Sequence, residues 1–172
     1  MTIIHIHTRK TDEDRDAYEK KKEESLKELN KHLDSGKDVF AFIFMNGCGP
    51  CDSTKVDWHK LKDSSSATDP NVCVVDIEQS LFDEVKNQKF KEAPSAFPTM
   101  RHIRGEKVEE YEDVEGIVKD RSLKSFVDWL DKSKIKNKSN QSGGKKRKKQ
   151  QTNRKRFRSK KNKKRRKTSR RK

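Results

Sequence analysis

In a chain that is 42% charged and only 28% hydrophobic, the segment DVFAFIFM (Asp38–Met45) is an unbroken apolar run of strand length. A run without polar alternation is stable only when both of its faces are covered, as in a central strand of a helix-flanked sheet. VCVVDI (Val72–Ile77) is a second run of that kind. TIIHIH (Thr2–His7) is short and β-branched and reads as an opening strand. Between the first two strands, Asp12–Leu33 predicts a charged helix. Leu26, Leu29 and Leu33 form its apolar stripe, Thr11 with Asp14 suits its N-cap, and Gly36 its stop. A second helix is expected from the cysteine pair Cys48 and Cys51 to about Asp63, burying Val56, Leu61 and part of Trp58. SSSATDPN (Ser64–Asn71) is a loop by composition. Ser80–Phe90 reads as a short helix and Lys91–Thr99 as a proline-bearing loop. Thr99–Ile103 and Lys107–Glu112 flank a turn and predict a hairpin. Leu123, Phe126, Val127 and Leu130 mark a last helix over Ser122–Lys134. The order β-α-β-α-β-α-β-β-α predicts an α/β fold with helices on both faces of a mixed sheet, parallel first and antiparallel at its end.

Charge divides the chain in two. Residues 136–172 hold 21 of its 44 Lys and Arg and no acid, which leaves 23 basic residues against all 28 acidic ones in residues 1–135. The longer part is large enough for one hydrophobic core. The tail has one large apolar residue, Phe157, and is expected to be disordered in isolation, because so little burial cannot offset the entropy of ordering. Its basic clusters follow SNQSGG, a linker composition. They comprise Lys145, Lys146, Arg147, Lys148 and Lys149, then Arg154, Lys155 and Arg156, then Lys163, Lys164, Arg165, Arg166 and Lys167. Such clusters bind nucleic acid or another polyanion through counterion release, without reading sequence. A nuclear localisation signal has the same composition. Phe157 alone is too little for a base-stacking platform.

Several classes are excluded as expectations. No apolar run reaches 18 residues, so no membrane span is expected. The N-terminus lacks a signal peptide's apolar region and turns acidic at once. Three cysteines argue against a disulfide-stapled secreted fold. The expected setting is intracellular and reducing, cytoplasmic or nuclear, with packaging beside nucleic acid in chromatin or a virion as the alternative. No cofactor or metal is called for, and a monomer is expected.

The pair Cys48–Cys51 falls where a buried strand ends and a helix begins. Free N–H groups and the positive end of the helix dipole stabilise an anion there, so a thiolate is favoured. Gly49 lets the chain turn, and Pro50 suits a first helical turn. Cys48, just ahead of the helix, is placed to attack a disulfide. Cys51, one turn on and more buried, is placed to resolve the mixed disulfide. Three other readings stay open: a zinc site, inert core thiols and a structural disulfide. Zinc requires four ligands in a structural site, and no second Cys-x-x-Cys or suitably spaced His pair exists.

VFAFIFMNGCGPC resembles the strand and active-site motif of thioredoxins. KVDWHKL (Lys55–Leu61) is similar to the following helix in protein disulfide isomerase-type domains. FPTMRHIRGEKVEEYE resembles the family's Pro-Thr strand and hairpin. The likeness covers about Lys37–Lys132. It implies a thioredoxin-like fold and thiol–disulfide exchange with disulfide-bearing protein substrates, recharged by an unidentified dithiol reductant. It also implies a cis Pro98 facing the cysteines, with Gly49, Pro50, Phe97 and Pro98 forming the substrate surface. Three features depart from the family. Gly47 stands where Trp is usual. Phe42 occupies the place of the buried Asp beneath the second cysteine, and Val74 that of its Lys partner. KEAPSA looks like extra residues before Pro98, which would reshape the groove.

Other residues read as packing. Cys73 is expected to be a core thiol, and Trp58 and Trp129 packing residues. His5 and His7 alternate on a strand and are expected at the surface rather than as ligands. His59 and His102 lie near motifs only in sequence, and His102 is expected to be solvated. A rival functional reading makes the folded part a non-catalytic scaffold for a nucleic-acid-binding or packaging protein.

Overall fold

β2 (Asp38–Phe44) is buried along its whole length, and the sheet is assembled around it. The computed structural model describes residues 1–64, 69–88 and 90–143, with 135–143 described by backbone alone. β3 (Val72–Glu78) pairs parallel with β2, and β1 (Thr2–Ile6) pairs parallel with β3. On the other side β4 (Thr99–Arg104) and β5 (Lys107–Glu110) continue antiparallel. The order is β1-β3-β2-β4-β5. This is the mixed α/β sheet expected from the two apolar runs. Met1–Ser133 forms one compact unit.

Strand alternation sorts the core into two halves. Val39, Ala41 and Ile43 of β2 join Cys73, Val75 and Ile77 of β3 against Leu26, Leu29 and Leu33 of α1 (Arg15–Asp34). Phe40, Phe42 and Phe44 point the other way, with Val72 and Val74. They meet Trp58 of α2 (Gly49–His59) and Phe126, Trp129 and Leu130 of α3 (Leu123–Gly143). Trp129 is wholly buried, edge-on to Phe40 at 5.0 Å and to Tyr111 at 5.3 Å. Trp129→Ala is therefore expected to cost about 3–5 kcal/mol, read as a lowered urea midpoint.

α1 starts later than the sequence suggested, because Asp14 rather than Thr11 caps it, accepting from the Ala17 N–H at 2.8 Å. It stops at Gly36, whose φ of 66° allows Gly36 N–H to reach Leu33 O and Lys37 N–H to reach His32 O. These two bonds are a Schellman closure. Gly105 (φ 57°) similarly serves the β4–β5 turn.

Several expectations are corrected. Ser80–Phe90 is not an α-helix. Only a 3₁₀ segment, Gln79–Glu84, forms, and Val85 is extended. Side chains take the backbone donors that a helix would need: Glu78 accepts from Ser80, Asn30 from Lys86, and Asn87 from Phe90. Val56 is exposed, since the buried face of α2 is Cys51, Thr54 and Trp58, and Trp58 is buried fully rather than in part. β5 gives way at Tyr111, which turns inward so that its hydroxyl donates to Val118 O at 3.0 Å and meets Ser125 Oγ at 2.9 Å. The last helix, expected to end near Lys134, is α3 and runs to Gly143, the first of two glycines. The expected tail beyond it, and much of the Ser64–Asn71 loop, lie outside the described residues. Among the described residues no helix is long and apolar enough to cross a membrane.

Candidate active site

β2 ends at Phe44, and a tight turn with Gly47 at φ 75° leads to Cys48, the N-cap of α2. Cys48 N–H donates to Met45 O, and Asp52 N–H donates to Cys48 O. Cys51 N–H points at Cys48 Sγ, 3.2 Å away. Pro50 lies in the first turn, where a missing N–H costs nothing. The Cys48 sulfur therefore sits at the positive end of a helix with a backbone donor already on it. That environment lowers a thiol pKa. Cys48 and Cys51 are joined by a disulfide, with Cα atoms 5.2 Å apart. Cys51 is fully buried and Cys48 is the more accessible of the two, at 9% exposed.

The far wall comes from the chain entering β4. The Phe97–Pro98 peptide is cis. Phe97 O lies 3.9 Å from Cys48 Sγ, and Phe97 packs half-buried against both halves of the core. The cysteine pair at the head of α2 thus faces the start of β4, across a sheet of order β1-β3-β2-β4-β5. The fold is thioredoxin-like.

No protein-family model and no curated protein sequence matches the chain. Solved structures do. The J-Trx1 fragment of ERdj5 aligns with a TM-score of 0.49 and 14% identity over 76% of this chain, which spans about half (51%) of that fragment. The first thioredoxin domain of mouse protein disulfide-isomerase A4 aligns at 0.46 and 16%, over 60% of this chain and 68% of that one. Thioredoxin f from spinach chloroplast (short form) aligns at 0.43 and 13%, over 77% and 94%. With TM-scores below 0.5 and identities of 13–16%, these alignments carry no argument about what the chain does.

Gly49 and Pro50 are exposed beside Cys48, while Pro98 is buried. The segment before Pro98, Lys91–Ala96, lies largely at the surface and is anchored from below by a residue that sequence reasoning passed over. Arg101 of β4 is buried at 3% exposure, pairs with Glu110 at 3.0 Å, and donates to Phe90 O and Glu92 O. Its signal was an arginine inside a strand that is otherwise covered. Thr99 Oγ1 adds a bond to Ala96 O at 2.7 Å.

Phe42 lies wholly buried in the same core cluster as Cys51, its ring 5.6 Å from Trp58, and Val74 belongs to that cluster. A carboxylate does occur on this face, one strand over. Asp76 of β3 is in register with Phe42 on one side and His5 of β1 on the other. His5 Nδ1 hydrogen-bonds to Asp76, and His59 Nε2, at the end of α2, lies 3.5 Å from the other carboxylate oxygen. Burial pushes the Asp76 carboxyl up, yet the hydrogen bonds and charges of both histidines outweigh it and leave the pKa below the usual carboxylate value. The bond to Asp76 raises the His5 pKa against the effect of burial. Sequence reasoning missed this trio because it needs strand register. His5 is 71 residues from Asp76 in the chain.

His102 is corrected: it is buried, bonded to Asp38 at 2.8 Å and stacked on Phe40 at 4.4 Å. Cys73 is buried, and burial pushes its thiol up to about 12, so it stays a protonated core residue near neutral pH. The expected nucleic-acid contacts, from Lys145 to Lys167, lie outside the described residues.

Proposed function

We propose that the chain is a thiol–disulfide oxidoreductase acting on disulfide-bearing proteins. The observation that carries this reading is Cys48 Sγ at the N-cap of α2, with the Cys51 N–H on it and Phe97 O beside it. In the reduced protein the Cys48 thiolate attacks a substrate disulfide. One substrate sulfur leaves as a thiolate, and the other is held in a mixed disulfide with Cys48. Cys51, once deprotonated, attacks Cys48 Sγ, expels the second substrate thiolate and restores the Cys48–Cys51 disulfide. A dithiol reductant then returns the pair to the reduced state. Gly49 and Pro50, exposed beside Cys48, and Phe97, whose carbonyl lies 3.9 Å from its sulfur, hold the extended substrate chain in this reading, with Pro98 setting the bend behind Phe97. Insulin reduction by the full chain with a dithiol donor tests the reading; turnover no faster than the donor alone would overturn it.

Phe42 gives Cys51 no acid–base partner from below, so the resolving step is slow near neutral pH. Phe42→Asp is expected to speed decay of the mixed disulfide by about tenfold or more. The same change destabilises the fold by about 3–5 kcal/mol, because it removes a buried aromatic ring and buries a carboxyl. Stopped-flow release of a labelled peptide and urea unfolding read the two effects separately.

The +21 tail gives this enzyme a second role as a polyanion binder, with DNA or RNA as the abundant partner. Phe42 in place of an acid also favours a second reading, in which the fold is a non-catalytic scaffold for a nucleic-acid-packaging tail. The insulin assay separates the two.

A further inference from the structure

His5, His59 and Asp76 converge for reasons unconnected with the disulfide. Parallel pairing of β1 with β3 puts His5 beside Asp76. The length of α2 then delivers His59 to the same place, about 12 Å along the helix axis from Cys51 at 1.5 Å per residue. One donor atom from each residue lies within 4.8 Å of the others. The His5 and His59 rings are 5.0 Å apart between centroids and inclined at 75°, an edge contact rather than a stack. Asp76 is fixed in the sheet with its side chain 6% exposed, while the His5 and His59 side chains are 47% and 42% exposed. The carboxylate is thus preorganised below, and the two imidazoles open onto solvent above.

We propose that His5, His59 and Asp76 form a three-ligand site for a divalent transition metal of the zinc class, with a fourth position open to water. Two imidazoles and one carboxylate are a ligand set that zinc accepts in open tetrahedral sites. Metal–ligand bonds of about 2.0–2.2 Å place tetrahedral ligand atoms about 3.3–3.5 Å apart. The His59–Asp76 separation of 3.5 Å already meets this, whereas His5 and Asp76, now in hydrogen-bond contact, have to move apart. The ion takes the place of the proton that His5 shares with Asp76, and that proton is released to solvent. Two lysines, Lys21 and Lys55, act on His5 electrostatically and oppose a cation. That repulsion acts on any cation alike; the two imidazoles are what favour a transition metal over calcium or magnesium, which take oxygen ligands. Because its ligands come from the edge strand β1, from β3 and from the end of α2, the bound ion clips the N-terminal strand to the body of the fold.

The test uses the untagged full-length chain in its oxidised form, so that Cys48 and Cys51 cannot ligate. Titration with Co(II) is followed by visible absorption, and with Zn(II) by thermal melting. The wild type is expected to take up one equivalent of Co(II), with the absorption of a nitrogen–oxygen site. Its Tm should rise by about 5 °C or more at a hundredfold excess of Zn(II) over Kd. His59→Ala and His5→Ala, each replacing a half-exposed residue, should fold as the wild type does. Each should weaken Co(II) binding about tenfold or more and remove the Tm rise. Asp76→Asn should do the same where it folds. An absence of saturable binding in the wild type, or unchanged affinity in both histidine variants, would overturn the proposal and leave the trio a hydrogen-bonded clasp.

Discussion

Cys48→Ser should reduce insulin-disulfide turnover to the rate of the dithiol donor alone, and Cys51→Ser should convert the chain into a trap. The asymmetry follows from position. Cys48 is the more accessible sulfur and sits at the N-cap with the Cys51 N–H directed at it. Without it nothing else on the described surface can begin the exchange, since Cys51 and Cys73 are both buried and the Cys73 thiol is held protonated. Cys51 is wholly enclosed, so in the proposed mechanism it acts only on a sulfur already attached to Cys48. Its loss leaves the first step intact and blocks the second, so the mixed disulfide accumulates. Non-reducing gels with a disulfide-bearing peptide check both outcomes. Turnover that survives Cys48→Ser, or a Cys51→Ser variant that releases substrate at the wild-type rate, would contradict the assignment.

The second large effect concerns nucleic acid. Residues 144–172 hold 19 of the 44 Lys and Arg and no acid, so removing them leaves 25 basic residues against 28 acidic ones. The truncated chain is expected to lose nearly all of the DNA and RNA affinity proposed for the tail at physiological salt, while keeping its fold and the proposed exchange activity. Both core clusters and both cysteines lie before that point. In the intact chain, neutralising about 6–10 phosphates implies a loss of roughly 10³–10⁵ in affinity between 50 and 200 mM salt, with little preference for sequence. One fluorescence-anisotropy series across salt, with and without the tail, checks this. A salt-insensitive interaction, or binding retained by the truncated chain, would place the nucleic-acid surface on the folded part.

What could be read from sequence divides along physical lines. β2 and β3 were legible because continuous apolar runs have few other stable fates, and the head of α2 because Gly-Pro between two cysteines suits a first helical turn. The last helix was legible in type, but its C-terminal extent was not, because Ser, Asn and Lys give little sign of where to stop before Gly143. Ser80–Phe90 misled because Leu81, Phe82, Val85 and Phe90 are all buried, as a helix would bury them, while the choice against a helix rests on side chains that take its donors, one of them Asn30 from a distant element. Of the candidate site, the cysteine pair carried a local signal, and the Phe97–Pro98 wall was expected only through the resemblance carried by Phe-Pro-Thr. Arg101 and the His5–His59–Asp76 trio carried no such signal. Their roles are set by strand register and by which face a residue joins, and those are properties of the assembled sheet.

The most direct measurement is the pH dependence of iodoacetamide alkylation at each cysteine of the freshly reduced full chain, read by mass spectrometry of the peptides. A helix N-terminus with a backbone donor on the sulfur predicts that Cys48 reacts first and along a titration curve whose midpoint lies below the ordinary thiol value of about 8.5, with Cys51 protected throughout. Equal rates at the two positions, or a Cys48 midpoint at or above the ordinary value, would contradict the claim that this helix end makes Cys48 the attacking thiolate.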